Sequence, residues 1–354
     1  MSIAVFGAYG YQGRLVLAEL VRRGVEAVLL GRDRERLERA AAEAGVPGAR
    51  VRVAATDDEA GLIEALRGCD AVISTAGPFA WSGGLGAKAA IRAGVHYVDT
   101  SGEQRHIGGL FHAFADSARA AGVAVVPAAT DACVPMDLLA SLIADRLGPL
   151  DELASTHMIA GGGGMSRGSL RSLLDSMELI RSGGLVYEDG DWRADARVRH
   201  TEITLPDAPE PASVARFPLP EVMTVPRHVA VRRMEGLVDA RLLARLSDPP
   251  PAEAVDRLPA GPTEEERRTQ RFTYVLDAVA ADGRRARGVV RGTDTYGTTA
   301  VIAVESALRL AAGAAKPGVL APAQAFDAAG LLDHLTAHGL RWSVEVRPAD
   351  APGW

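Results

Sequence analysis

The sequence predicts an α/β protein: a Rossmann-type, doubly wound parallel sheet joined to a second α+β domain that carries a mixed sheet. Three observations predict it. The chain opens on Ser2 to Gly13, SIAVFGAYGYQG, an apolar run that breaks into a glycine-rich turn and then a helical pattern. Short apolar runs alternate with helical stretches as far as Val126, the βαβ rhythm of a parallel sheet. Later, Phe272 to Val279 and Arg284 to Val290 flank Ala281-Asp282-Gly283, a hairpin signal that suits a mixed sheet.

Ile3 to Phe6 is unbroken in its apolar character, as a parallel strand covered on both faces requires. The strand breaks at Gly7. Gly10 and Gly13 stand where the dinucleotide fingerprint needs one glycine for close approach to pyrophosphate and one for tight packing of helix on strand; Ala8 replaces the first fingerprint glycine. From Arg14, Leu17, Leu20 and Val21 recur at helical spacing, and Gly24 ends the helix. A phosphate at its start would meet free N–H groups and the positive end of the helix dipole. A purely structural turn needs similar glycines, but a position between strand and helix is the context the motif demands. Gly7, Gly10, Tyr11, Gln12 and Gly13 are therefore cofactor candidates.

The second strand, Val25 to Leu30, ends in Gly31-Arg32-Asp33. An NAD-specific site places a carboxylate near this strand end, about 20 residues beyond the glycines, to bind the ribose 2′-hydroxyl. Gly31 offers none and Arg32 follows, which favours the 2′-phosphate of NADP(H), with NAD(H) still allowed. The alternative is that Arg32 opens a charged helix face with Asp33 as its N-cap. The alternation continues through a helix at Arg34 to Ala44, a strand at Val51 to Ala55, a helix begun by Asp57 and Asp58, and a strand at Ala71 to Thr75. The turn Thr75-Ala76-Gly77-Pro78-Phe79 falls where loops gather over a cofactor, although an ordinary Gly-Pro turn reads the same way. A helix at Gly86 to Ala93, a strand at Val95 to Asp99 leading into Ser101 and Glu103, and a strand at Val123 to Val126 leading into Asp131 complete the half.

In the second half, Glu152 to Ile159 reads as a strand running into Gly161 to Gly164, with Ser166 and Arg167 opening a long helix. Those glycines suit either a ligand close to the backbone or a hinge between domains. The proline-rich stretch from Leu205 to Pro226 is expected to be an irregular cover for the cleft. Tyr296 to Leu310 carries apolar residues at helical spacing, and Tyr296 at its head is either a substrate-facing hydroxyl or a capping residue.

The chain has 354 residues, enough to expect more than one domain. Its boundaries are read as 1–135, 136–292 and 293–354, the last comprising helices and a strand that return to the first domain. A net charge of −6 without a basic run gives nucleic acid no footprint. Cys69 and Cys133 form no disulfide framework and suit a reducing cytoplasm; the eight histidines show no metal-ligand spacing. His106 reads as a surface helix histidine rather than an acid, and Cys133, on the expected rim, as packing rather than a nucleophile. Met1 leads directly into the first strand and no run approaches membrane-spanning length, so a cytoplasmic protein without signal peptide or membrane span is expected.

GAYGYQGR at 7–14, GRDRERL at 31–37, STAGPFAWSG at 74–83 and HYVDTSGE at 96–103 resemble the saccharopine dehydrogenase-like NAD(P)-dependent reductases, and are also similar to the trans-acting enoyl reductases. The likeness continues in GGGGMSRGSLRSLLD at 161–175, TDTYGTTAVIAVESALRLAAG at 293–313 and KPGVLAPAQAF at 316–326. It implies a Rossmann domain, an inserted α/β domain, C-terminal helices packing back, an NADP(H) or NAD(H) cofactor and hydride transfer. Related sequences carry an Asp in Gly-Phe-Asp ahead of Val-Pro-x-Asp; here Ala132 holds that position and Asp131 lies one place earlier. Asp131, Tyr296 and Arg167 are the catalytic candidates, and Gly7 to Gly13, Arg32, Asp33, Thr75 to Phe79 and Ser101 the cofactor candidates. The expected function is reduction of a C=N, C=C or C=O bond of a small secondary metabolite by a homodimeric enzyme. The alternative is an NADP(H)-binding sensor or partner module without turnover.

Overall fold

The computed structural model describes residues 1–206, 208 and 210–349. The first sheet grows by strict alternation: β1 (Ser2–Phe6), α1 (Tyr11–Arg22), β2 (Glu26–Gly31), α2 (Arg34–Glu43), β3 (Arg50–Val53), α3 (Glu59–Leu66), β4 (Ala71–Ser74), α4 (Phe79–Ala93), β5 (His96–Asp99), α5 (Gln104–Ala121) and β6 (Ala124–Val126). Each strand pairs in parallel with its neighbour. Every residue of β1 and β4 is buried, so helices cover both faces, as a sheet of continuous apolar strands requires.

α6 (Cys133–Leu147) then carries the chain to the second sheet. Leu138, Leu139 and Ile143 on it have no exposed surface, and burial of each contributes about 1.5–3 kcal/mol. The second domain contains β7 (Leu150–Ala160), α7 (Arg167–Asp175), α8 (Met177–Arg181), β8 (Val186–Glu188), β9 (Asp191–Arg193), β10 (Glu202–Ile203), β11 (Ala212–Arg216), α9 (Glu221–Thr224) and β12 (Val231–Asp239). The short helices α10 (Ala240–Leu246), α11 (Ala252–Val255) and α12 (Glu264–Thr269) precede the hairpin β13 (Arg271–Ala280) and β14 (Arg285–Thr293). The chain closes with α13 (Thr295–Ala311), β15 (Gly318–Val319), α14 (Pro322–Ala325), α15 (Ala328–Thr336) and β16 (Arg341–Arg347).

The seven-stranded sheet runs β15-β6-β5-β4-β1-β2-β3, and the second sheet has β10-β11-β12-β7-β13-β14-β16 as its spine. β7 pairs in parallel with β12 and antiparallel with β13, which makes that sheet mixed, as expected. The C-terminal stretch divides: α13 packs on α1, β4 and β5, β15 joins the first sheet, and β16 joins the second. One apolar cluster contains Ile3 and Leu17 of the first domain together with Leu153 and Phe272 of the second. No helix among the described residues is long and apolar enough to cross a membrane.

Several local expectations need correcting. α1 starts at Tyr11 rather than Arg14, because Gly10 takes the N-cap position. α4 starts at Phe79 rather than Gly86, with Pro78 as its N-cap. It passes through Gly83, where a Cβ would lie 2.2 Å from the His106 ring, so the glycine serves helix contact and not a turn. The long helix after Ser166 is two short ones meeting at Ser176. The stretch Leu205 to Pro226 is no loose cover: it supplies β11 and α9, and Leu219, Val222 and Val225 are buried. Residues 207 and 209 of that stretch, and 350–354 of the C-terminal segment, lie outside the described residues.

Candidate active site

A cleft of about 860 Å³ runs along the carboxyl ends of the first sheet's strands and reaches the second sheet. At one end, β1 stops at Gly7, whose φ of +86° suits glycine alone, and whose Cβ would come within 2.9 Å of Thr75 Oγ1. Gly10 gives α1 no side-chain cap, which leaves its first N–H groups for an anion. Gly13 faces inward: a Cβ there would sit 2.2 Å from the Gly7 carbonyl oxygen. The Tyr11 hydroxyl donates to the Pro262 carbonyl at 2.6 Å, and burial above all pushes it up to about 12, keeping its proton in place. These features fit the pyrophosphate of a dinucleotide.

Past the end of β2, Arg32, Arg36 and Thr56 line the same cleft. A side chain at Gly31 would meet the Tyr9 ring at 2.9 Å, so a ribose-binding carboxylate has no room there. The Arg36 guanidinium lies 4.2 Å over the Tyr9 ring instead. Asp33 is the N-cap of α2, its side chain accepting from the Arg36 N–H at 3.1 Å, and it does not line the cleft. Two cations and no facing acid suit a 2′-phosphate.

Thr75 to Phe79 line the middle of the cleft. Ser101 does not: it is fully buried, and its Oγ donates to Asp99 Oδ1 at 2.6 Å. Asp99 also accepts from the Tyr97 hydroxyl and from the Ala128 N–H, and lies 2.8 Å from His106 Nε2. Burial opposes charge on Asp99, but His106 and these donors hold its carboxyl below the usual range. Burial lowers His106 in turn, and Asp99 more than reverses that. His106 is thus a buried partner of Asp99, not the surface residue expected.

Asp131 stands where the cleft meets the second sheet. Thr299 on α13 donates to its Oδ1 at 2.9 Å, and Tyr274 on β13 donates to its Oδ2. Burial raises the Asp131 carboxyl above its ordinary value, against the pull of both donors and of His157. His157, Tyr274 and Thr299 line the cleft beside it. Tyr296 and Arg167 also border the cleft but are engaged. The Tyr296 hydroxyl accepts from the Ser166 N–H at 2.8 Å and lies 3.0 Å from Ser169 Oγ, at the start of α7. Arg167 donates to the Asp256 carbonyl at 3.2 Å. Glu103 lies on the rim, its carboxylate accepting from the Gly102 N–H at 2.8 Å.

Residues 3–126 match the family model described as the saccharopine dehydrogenase NADP binding domain. Over that first domain the chain is similar to the saccharopine dehydrogenase-like family. It is similar to a lipid droplet localized protein of Caenorhabditis elegans, 31% identical over 177 residues, which are 47% of this chain and 42% of that protein. A saccharopine dehydrogenase-like oxidoreductase of Bos taurus is 26% identical over 210 residues, 54% of this chain and 44% of that one. The chain matches less than half the length of these curated relatives. Apo histidine-tagged saccharopine dehydrogenase (L-Glu forming) from Saccharomyces cerevisiae shares the fold, with a TM-score of 0.63, 14% identity, and coverage of 97% of this chain and 99% of that one.

Within this saccharopine dehydrogenase-like fold, the four-glycine run neither lines the cleft nor reads as a free joint. Gly161, Gly162 and Gly163 all have positive φ and pack on Thr269, Gln270 and Pro262. Away from the cleft, Glu152, His200 and Glu235 bring ligand-type atoms within 4.8 Å of one another, a grouping the spacing of histidines did not suggest. Arg233 already pairs with Glu235 at 3.0 Å and Arg199 with Glu152 at 3.4 Å, so the group is an ion-pair network. Arg36, Tyr274, Thr299 and His157 were missed from sequence. Only Arg36 left a signal there, four residues beyond Arg32 on the same charged helix.

Proposed function

We propose that this chain is an NADP(H)-dependent oxidoreductase that reduces a C=N or C=C bond, or a C=O bond, of a small metabolite, with a role in secondary metabolism. One observation supports it above the rest: a single cleft joins the Gly7 to Gly13 cradle to the buried Asp131, Tyr274 and Thr299 group. When bound, NADPH supplies the hydride. The chain's own residues do the remaining work. The α1 N-terminus and Gly7 receive the pyrophosphate, and Arg32 and Arg36 favour the phosphorylated ribose over that of NAD(H). Thr75 to Phe79 support the ring, and Phe217, Pro218 and Ile180 give the cleft an apolar wall where substrate would sit.

Calorimetry with NADPH and NADH, followed by NADPH oxidation against a panel of imines, enones and ketones, tests this reading. NADPH binding with turnover of a panel member is the expected result. Tight binding without any turnover would favour a cofactor-sensing module, and no binding of either dinucleotide would end the assignment. A cytoplasmic location and a homodimer belong to the same proposal; light scattering on purified protein tests the second.

A further inference from the structure

The strand β7 alternates Ala154 and Met158, which pack in a cluster on one face, with Ser155, His157 and Ile159 on the other, and His157 and Ile159 line the cleft. His157 is only 4% exposed. Its Nε2 lies 2.8 Å from Glu221 Oε1. Glu221 is wholly buried on α9, and the same Oε1 accepts from Ser155 Oγ at 2.6 Å. Burial opposes charge there, yet His157 and Ser155 hold the Glu221 carboxyl below the usual range. Against its flat side the imidazole meets Tyr274, ring centroids 4.2 Å apart. The ring thus lies beside a carboxylate at one nitrogen and against an aromatic face. Its other nitrogen, Nδ1, makes no hydrogen bond to a described residue.

An imidazole that lines the cleft with a buried carboxylate beside it is an arrangement by which a base is oriented for proton transfer. Building on the reductase reading above, we propose that His157 gives the proton that completes the reduction and that Glu221 is its positioning residue. With NADPH bound, its hydride would go to the carbon of the C=N or C=C bond, and the π pair would move to the nitrogen or to the neighbouring carbon. That atom bonds to the proton as the Nδ1–H bond of the imidazolium breaks. The ring is left neutral, keeps Nε2–H toward Glu221, and regains its proton from water in the cleft. The titratable groups facing His157 are Glu221 from α9, Tyr274 from β13 and Asp131 from the turn before α6. Tyr274 has its proton committed to Asp131, and that carboxyl is occupied by Tyr274 and Thr299. Histidine is also the side chain whose ordinary charge change falls near neutral pH, so it both gives and recovers a proton there.

Calorimetry should show NADPH binding of His157→Asn and of Glu221→Gln unchanged from wild type, which places both losses after cofactor binding. In NADPH oxidation, His157→Asn should lower kcat by about 10²–10⁴-fold with KM for NADPH unchanged. Glu221→Gln should lower kcat less with KM unchanged, and Glu221→Asp should recover part of the loss, which loss of packing alone would not do. A fully active His157→Asn, or one whose whole loss lies in NADPH affinity, overturns the assignment and leaves the reductase reading standing. Wild type that binds NADPH but reduces no panel member overturns both.

Discussion

Arg36 over the Tyr9 ring, with Arg32 beside it and no ion-pair partner for Arg32 among the described residues, makes the β2 end of the cleft a cationic corner. A hydrogen bond to a charged group contributes about 1.5–3 kcal/mol. Arg36→Ala and Arg32→Ala should therefore each weaken NADPH binding by about tenfold to a hundredfold and leave NADH nearly unchanged, measured by calorimetry. At the other end, Tyr274→Phe removes a donor from the buried Asp131 carboxyl and should cost about 1–3 kcal/mol in denaturant unfolding. The cationic corner was legible because its information is local: Gly31-Arg32 sits at one strand end. The group around Asp131 was only half legible. Asp131 and Tyr274 lie 143 positions apart, and Glu221 came from a stretch that composition alone marked as loop. Nothing in a linear pattern says that a strand histidine will face a helix glutamate; sheet register decides it, by setting Tyr274 opposite His157.

The elements of the first sheet were legible because buried parallel strands are short apolar runs and the turns between them need glycine. Gly13 shows how strict the coupling is. Gly13→Ala on α1 would drive a methyl into the Gly7 carbonyl, so it should destabilise by about 1–3 kcal/mol and sharply reduce NADPH affinity, read by thermal unfolding with and without cofactor. The length of α4 was hidden for the opposite reason: Gly83 and Gly84 look like breakers until the His106 ring of α5 is in place. That ring also joins α5 to the end of β5 through Asp99. The raised His106 contributes stability that is full below the ordinary imidazole pKa and fades as pH rises through its folded value. The lowered Asp99 contributes above the ordinary carboxylate pKa and fades as pH falls through its own. His106→Gln should therefore cost most, about 3 kcal/mol, between about pH 4 and 6.5, and less on either side, in urea titrations at fixed pH.

At the scale of the whole molecule, the two sheets share one apolar cluster, and Gln104 at the head of α5 donates to the Leu219 carbonyl at 2.9 Å across the domains. Calorimetric unfolding should then show one transition that NADP moves upward as a unit; two transitions, only one of them responsive, would show that the domains melt separately. The path of the chain reinforces this. It leaves the first sheet after β6, returns to it as α13 and β15, and ends in the second sheet as β16. A gene fragment encoding only the first 135 codons would thus make a nucleotide fold stripped of an outer strand and of the helix that roofs its central strands. Such a protein is laced rather than hinged: recombination that swaps one half for another would leave both with open seams, and even exchange of the piece between β6 and α13 would set a foreign β14 against the resident β16.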